Sequence, residues 1–174
     1  ATVDLNLVHP MTGPVNINGA KRGDAIEVEI VDIEPDEYGY TVIVPGFGFL
    51  RDIYTEAQVI NWQLTRTGAV SPQMPGITIP YEAFPGSIGV MLGDPEIDKI
   101  LDREAGLAGA GGAILGPLGA GALPADLCGE GVTQESRCLR TVPPRENGGN
   151  MDVQQQQIGT RMLFPCFIDG CGLF

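Results

Sequence analysis

A chain of 174 residues is long enough for one domain with a core of its own and, on length alone, short for two. Its 22 acidic against 10 basic side chains leave a net charge of −12 and no Lys/Arg cluster to neutralise phosphates, which argues against a nucleic-acid or anionic-membrane surface. With 43% hydrophobic and 18% charged residues, the composition is that of a folded globular protein and not of an acidic disordered tail. No apolar run approaches the roughly 20 residues of a membrane-spanning helix, and the opening stretch lacks a basic start followed by an apolar segment, so a cytoplasmic location is expected.

Glycine (25) and proline (14) fall between short β-branched runs, the pattern of strands joined by tight turns. In chain order, Asn18-Gly19 and Arg22-Gly23 supply turn residues, and "DAIEVEIVDI" (Asp24 to Ile33) alternates apolar Ile26, Val28 and Ile30 with Glu27 and Glu29. This predicts a half-buried strand that continues a hairpin from "GPVNINGAKRG". "YGYTVIVPGFGFL" (Tyr38 to Leu50) predicts a second strand ending in a glycine-rich turn, and further strands are expected at Val59 to Leu64, Ile77 to Ile79, Ser87 to Leu92 and Arg161 to Ile168. "DPEIDKILDREAGLA" (Asp94 to Ala108) is the helix of the chain: Asp94 caps it, Pro95 opens its first turn, and Ile97, Ile100 and Leu101 share a face. Ala105 to Pro124 is a Gly/Ala-rich run without the GxxxxGK[ST] pattern of a phosphate loop, and it reads as a surface insertion or lid. The fold class is therefore mainly β, a β-rich α+β chain with a barrel or sandwich-like core.

Four cysteines fall as Cys128 and Cys138, then Cys166 and Cys171, and neither gap is that of a zinc knuckle or a redox motif. Buried free thiols are the expected state, with a Cys128–Cys138 disulfide as the alternative. His9 is the only histidine, so this chain alone cannot assemble a Ser-His-Asp triad or a multi-histidine metal site. The densest polar stretch is "PPRENGGNMD" (Pro143 to Asp152). There Gly148-Gly149 permit a turn whose N–H groups face a bound oxygen, Glu146 is a candidate general base, Asn147 and Asn150 are candidate amide binders, and Asp152 is a candidate metal ligand. An Asn-Gly-Gly surface turn is the competing reading.

"HPMTGPVNINGAKRGDAIEVEIVDIEP", "VPGFGFLRD", "IPYEAFPGSIGVML" and "TVPPRENGGNMDVQQQQIGTRMLFPCFIDGCGLF", in this order, resemble the N-terminal half of the acetamidase/formamidase family. The resemblance covers most of residues 3 to 93 and 140 to 174, and Thr12, Gly13, Pro14 and Gly148 to Asp152 match its motifs. Residues 94 to 139, the helix and the Gly/Ala-rich run, correspond to a variable region, within a single β-rich domain spanning 1–174.

That resemblance implies hydrolysis of small amides such as formamide or acetamide to carboxylate and ammonia, in a β-rich oligomer that holds a divalent ion, zinc or calcium, near the GGNMD loop. On their own chemistry, Asp152 is the candidate metal ligand of such a site, Gly148, Gly149, Asn150 and, beside them, Asn147 are its candidate substrate-binding residues, and Glu146 and His9 its candidate catalytic residues. Glu146, Asn147 and His9 fall at positions that vary in the family. Members continue into a GDxHxxQGDGE-type motif, which is not found before Phe174. A second polypeptide carrying the C-terminal half is therefore the expected partner, since one histidine and Asp152 do not make the three protein ligands typical of catalytic zinc. Two other readings stand beside this: attack by a Cys166 thiolate, and a non-catalytic β-rich scaffold subunit. Larger or lactam-type amides would need a reshaped pocket, for which Trp62, Tyr81 and Phe84 are candidate lining residues.

Overall fold

The computed structural model describes residues 8–109, 128, 131 and 137–174. Most of the Gly/Ala-rich run expected to form a lid lies outside the described residues. Those described are mainly β, with three small antiparallel sheets and one helix, and none of the sheets closes into a barrel. The chain clusters into two compact units.

The first unit comprises residues 1–29, 85–153 and 161–174. Strand β1 (Ala25–Glu29) forms where the alternation predicts it, with Ile26 and Val28 turned inward. Its partner is not the preceding segment, as the hairpin expectation had it, but β8 (Arg161–Pro165), antiparallel and in register from Ala25↔Pro165 to Glu29↔Arg161. The local Asn18-Gly19 turn does form, closed by Ala20 N–H to the Ile17 carbonyl at 3.2 Å, but β8 presents the apolar alternation that matches β1. A second ribbon pairs β6 (Ser87–Gly89) with β7 (Gly148–Asn150).

Val90, Phe164, Cys166 and Cys171 form the core of this unit, flanked by Ile26, Val28, Ile88 and Met162. Helix α1 (Asp94–Gly109) matches the sequence expectation to within one residue at its end, and it buries Ile100 almost completely. All four cysteines are bonded, Cys128 to Cys138 and Cys166 to Cys171. The expectation of free thiols is corrected: Cys166 and Cys171 have Cα atoms 4.6 Å apart, close enough to bridge.

The second unit comprises residues 30–84 and 154–160. It is an antiparallel meander of β2 (Tyr38–Ile43), β3 (Gln58–Thr65), β4 (Gly68–Val70) and β5 (Thr78–Pro80), in spatial order β2-β3-β4-β5. Trp62 is its buried aromatic, with the indole N–H donating to the Thr41 hydroxyl at 3.2 Å. Gly39 lies opposite Trp62 in the register, and a Cβ there would stand 2.9 Å from Leu64 Cδ1. Arg66 holds Asp32 bidentately at 2.9 and 2.8 Å, and the Tyr81 hydroxyl donates to the Ile33 carbonyl.

Candidate functional site

Within the first unit, two turns distant in sequence face one cavity. The first is Thr12-Gly13-Pro14. Gly13 has φ 110°, and a Cβ on it would stand 2.9 Å from the Leu173 carbonyl oxygen, so the position accepts only glycine without strain. The chain continues into Val15, which exchanges both backbone hydrogen bonds with Leu173 at 2.7 and 2.9 Å. Phe174 exchanges another such pair with Gly89 at 2.8 and 3.0 Å. The segment Leu173-Phe174 thus ties the TGP stretch to β6.

The second turn is Arg145 to Gly148, closed by two backbone hydrogen bonds between its end residues at 2.9 and 3.0 Å. Gly148 takes φ 90°, and a Cβ there would come within 2.5 Å of the Ile88 carbonyl oxygen and 2.9 Å of the Phe164 ring. Gly148 is therefore demanded by the close approach of β7 to β6 and to the core, whereas Gly149, with φ 88° and room for a Cβ, is called for by its left-handed backbone alone. At the turn's centre Asn147 is buried; its side-chain amide donates to the Val90 carbonyl at 2.6 Å, and its own carbonyl accepts from Val90 N–H at 3.0 Å.

The cavity has a volume of about 310 Å³, at the small end of the range of roughly 300–1,000 Å³ for ligand pockets. Met11, Met91, Leu92, Ile97, Leu139 and Phe174 give it an apolar wall, and Thr12, Gly13, Pro14, Asn147, Gly148 and Gly149 bring the two turns to it. Arg137, Arg140, Thr141, Pro143 and Arg145 complete the lining.

Ion pairs brace the wall. Arg137 bonds Asp94 at 3.0 Å and also Asp98, both on α1. Arg145, nearly buried, grips the Glu104 carboxylate with two donors at 2.7 and 3.2 Å and donates a third hydrogen bond to the Arg140 carbonyl at 2.7 Å. Arg140 donates to the Val8 carbonyl at 3.3 Å. The Thr141 hydroxyl is committed on both sides to the His9 backbone, accepting from its N–H at 2.7 Å and donating to its carbonyl at 2.8 Å. The Thr12 hydroxyl makes no hydrogen bond among the described residues, which leaves it available to a ligand.

The structure gathers some of the sequence-predicted site residues and separates others. Asn147, Gly148 and Gly149 line the cavity. The Gly148 N–H is engaged by the Arg145 carbonyl, and the Asn150 amide donates to the Val142 carbonyl at 2.8 Å, so both groups serve the turn. Glu146 does not line the cavity: it is half exposed and clasped by the Arg103 guanidinium of α1. That hydrogen-bonded pair holds its carboxyl down at about 2, where it is a weak base near neutrality. His9 reaches the wall only through its backbone bonds to Thr141.

Asp152 is exposed, with φ 51° and its N–H on the Gly86 carbonyl at 3.1 Å, and it does not line the cavity. Among the described residues no three His, Cys, Asp or Glu side chains converge, so these residues do not by themselves fit a catalytic metal. A Cys166 nucleophile is overturned, because its sulfur is buried and bonded to Cys171. Trp62, Tyr81 and Phe84 do not line this cavity. The apolar wall and the arginine braces went unseen in the sequence, where only their long-range pairing gives them meaning.

A β-rich chain in which a TGP turn and an NGG turn some 130 residues apart share one cavity wall has a recognisable design. The chain belongs to the acetamidase/formamidase family, whose sequence pattern matches residues 1–174. It is 33% identical to an acetamidase of Mycolicibacterium smegmatis, over 98% of this chain and 47% of that protein. It is 30% identical to a formamidase of Methylophilus methylotrophus, over 98% of this chain and 45% of that protein. Among solved structures it is similar to a gamma lactamase from Delftia acidovorans, with a TM-score of 0.87 and 32% identity, covering 98% of this chain and 45% of that one. The chain spans about half the length of these relatives.

Proposed function

We propose that this chain forms the amide-binding part of an amidohydrolase. The observation that carries the reading is the meeting of the TGP and NGG turns at one cavity in a chain of the acetamidase/formamidase family. In the reaction, water adds to the amide carbonyl carbon, the C–N bond breaks, and the nitrogen leaves as ammonia or amine after taking a proton. The role of this chain is to hold the amide: the Thr12 hydroxyl hydrogen-bonds the amide group, and Met11, Met91, Leu92 and Phe174 cover its apolar part and exclude water. Glu146 is occupied by Arg103, and His9 presents only backbone to the wall. We therefore assign the water-activating base, and the ligands of any zinc or calcium ion, to the part of the family's length that this chain does not span, with Asp152 as the ligand this chain would add.

The cavity volume favours a second substrate class. At about 310 Å³ it is of the size that holds small organic ligands, well beyond what formamide's three heavy atoms fill, and its lining is largely apolar. A lactam or another amide with an apolar body fits that space better, in keeping with the lactamase among its relatives.

Assaying the native assembly for ammonia from formamide and acetamide, and for the ring-opened amino acid from a γ-lactam, tests both readings. Turnover of any of the three, lowered by Thr12→Val through KM, is the expected result. An intact assembly inert toward all three contradicts the amidase reading, and lactam turnover no better than formamide turnover contradicts the second.

A further inference from the structure

The two disulfides of the first unit stand in different surroundings. Cys166–Cys171 lies in the hydrophobic core beside Val90 and Phe164, its residues 2% and 0% exposed. Cys128–Cys138 is partly exposed at both residues. Thiol–disulfide exchange begins with a thiolate attacking one sulfur, so access favours the second bond and protects the first.

The accessible bond borders the cavity. Cys138 sits between Arg137 and Leu139, and Arg137, Leu139, Arg140 and Thr141 all line that wall. Residues 138–143 belong to no strand or helix, so regular secondary structure does not fix their place. The far end of the run is held by Thr141, bonded to the His9 backbone, and by the Arg140 carbonyl, which accepts from Arg145 at 2.7 Å. At the near end Arg137 pairs with Asp94 and Asp98, whose side chains are 86% and 58% exposed, and pairs so open to water hold a chain weakly. The bond from Cys138 to Cys128, with Cα atoms 5.7 Å apart, is the strong tie there among the described residues.

We propose that Cys128–Cys138 is a thiol-exchange site through which a small dithiol reductant loosens this side of the cavity. One thiolate of the dithiol attacks a sulfur of the bond and forms a mixed disulfide, and the displaced cysteine leaves as a thiolate and takes up a proton. The second thiol of the reductant then closes its own disulfide and releases the other cysteine. Two electrons pass to the protein, the dithiol is oxidised, and a small disulfide oxidant reverses the step. With the tie cut, Arg137 and Leu139 leave the wall for part of the time, and the apolar body of a bound amide loses cover. The effect on turnover rests on the amidohydrolase reading; the exchange site rests on the geometry alone.

Treating the native protein with dithiothreitol and then iodoacetamide, followed by peptide mass mapping, tests the site. Labels are expected at Cys128 and Cys138 and not at Cys166 or Cys171. Reduction should quicken hydrogen exchange at the amides of Leu139, Arg140 and Thr141 at least about tenfold, while the amides of β1 and β8 keep their protection and show the core intact. Cys128→Ser combined with Cys138→Ser should show the quickened exchange without reductant and no response to it. With the wall in place about a tenth of the time, KM for an amide rises about tenfold at unchanged kcat, and reoxidation restores it. Labels at both pairs alike or at neither, exchange at residues 139–141 indifferent to reduction or quickened together with β1 and β8, or a KM indifferent to reduction would each overturn the proposal. Quickened exchange confined to the wall, in a protein inert toward amides before and after reduction, would sink the amidase reading and leave the exchange site standing.

Discussion

Two neighbouring residues of the NGG turn make ion pairs with two neighbouring residues of α1, and burial should make their energies very different. Arg145 pairs with Glu104, with side chains 8% and 26% exposed; Glu146 pairs with Arg103, at 52% and 47%. Replacing Glu104 by glutamine leaves the Arg145 guanidinium buried without its counter-charge. Loss of one partner of a buried pair costs about 3–5 kcal/mol, and the partial exposure of Glu104 puts this case at the lower end, about 3 kcal/mol. Glu146→Gln opens a pair that water already screens, at a cost of less than about 1 kcal/mol. The single tryptophan, Trp62, lies in the other unit, so its fluorescence would miss the effect. Native-state hydrogen exchange at the amides of α1, β6 and β7 reads it directly. Equal losses of protection for the two variants, or a larger loss for Glu146→Gln, would mean that burial does not set the energies of these two pairs.

Three further outcomes follow from the same geometry. Gly148→Ala should destabilise the first unit by at least about 2 kcal/mol, since it combines a left-handed φ with a Cβ 2.5 Å from the Ile88 carbonyl; a melting temperature within a degree of the parent would contradict this. The Arg103–Glu146 contribution has a defined acid limit. Because the folded carboxyl is depressed from 4.5 to about 2, its contribution is fully present above pH 4.5 and is lost as pH falls through 2, so the stability gap between parent and Glu146→Gln should be flat from pH 7 to 5 and close below that. Finally, iodoacetamide without reductant should add no mass at any of the four cysteines and leave the activity of the assembly unchanged; alkylation at Cys166 would contradict the bonded pair.

What the sequence disclosed and what it withheld follow from the range of the interactions. Ile26 and Val28 alternate with Glu27 and Glu29, and Asp94-Pro95 precedes spaced Ile97, Ile100 and Leu101, so β1 and α1 were legible from neighbours alone. Strand β7 was not, because Gly148-Gly149-Asn150 has no β-branched residue, and its strand character comes from pairing with β6 some 60 residues earlier. The same holds at the site. The Gly-Gly turn announces itself, while the ties from Glu146 to Arg103 and from Asn147 to Val90 join residues 43 and 57 positions apart. Proximity in the fold, invisible in cysteine spacing, also decides that Cys166 meets Cys171.

NMR titration of the isotopically labelled chain with a γ-lactam shows whether the TGP and NGG turns together hold an amide. Saturable shifts are expected at the amides of Thr12, Gly13, Asn147, Gly148 and Gly149 and at the methyl groups of Met11 and Met91, all weakened by Thr12→Val. Absence of saturable shifts at these residues, or shifts confined to residues 30–84, would contradict amide binding at the two turns.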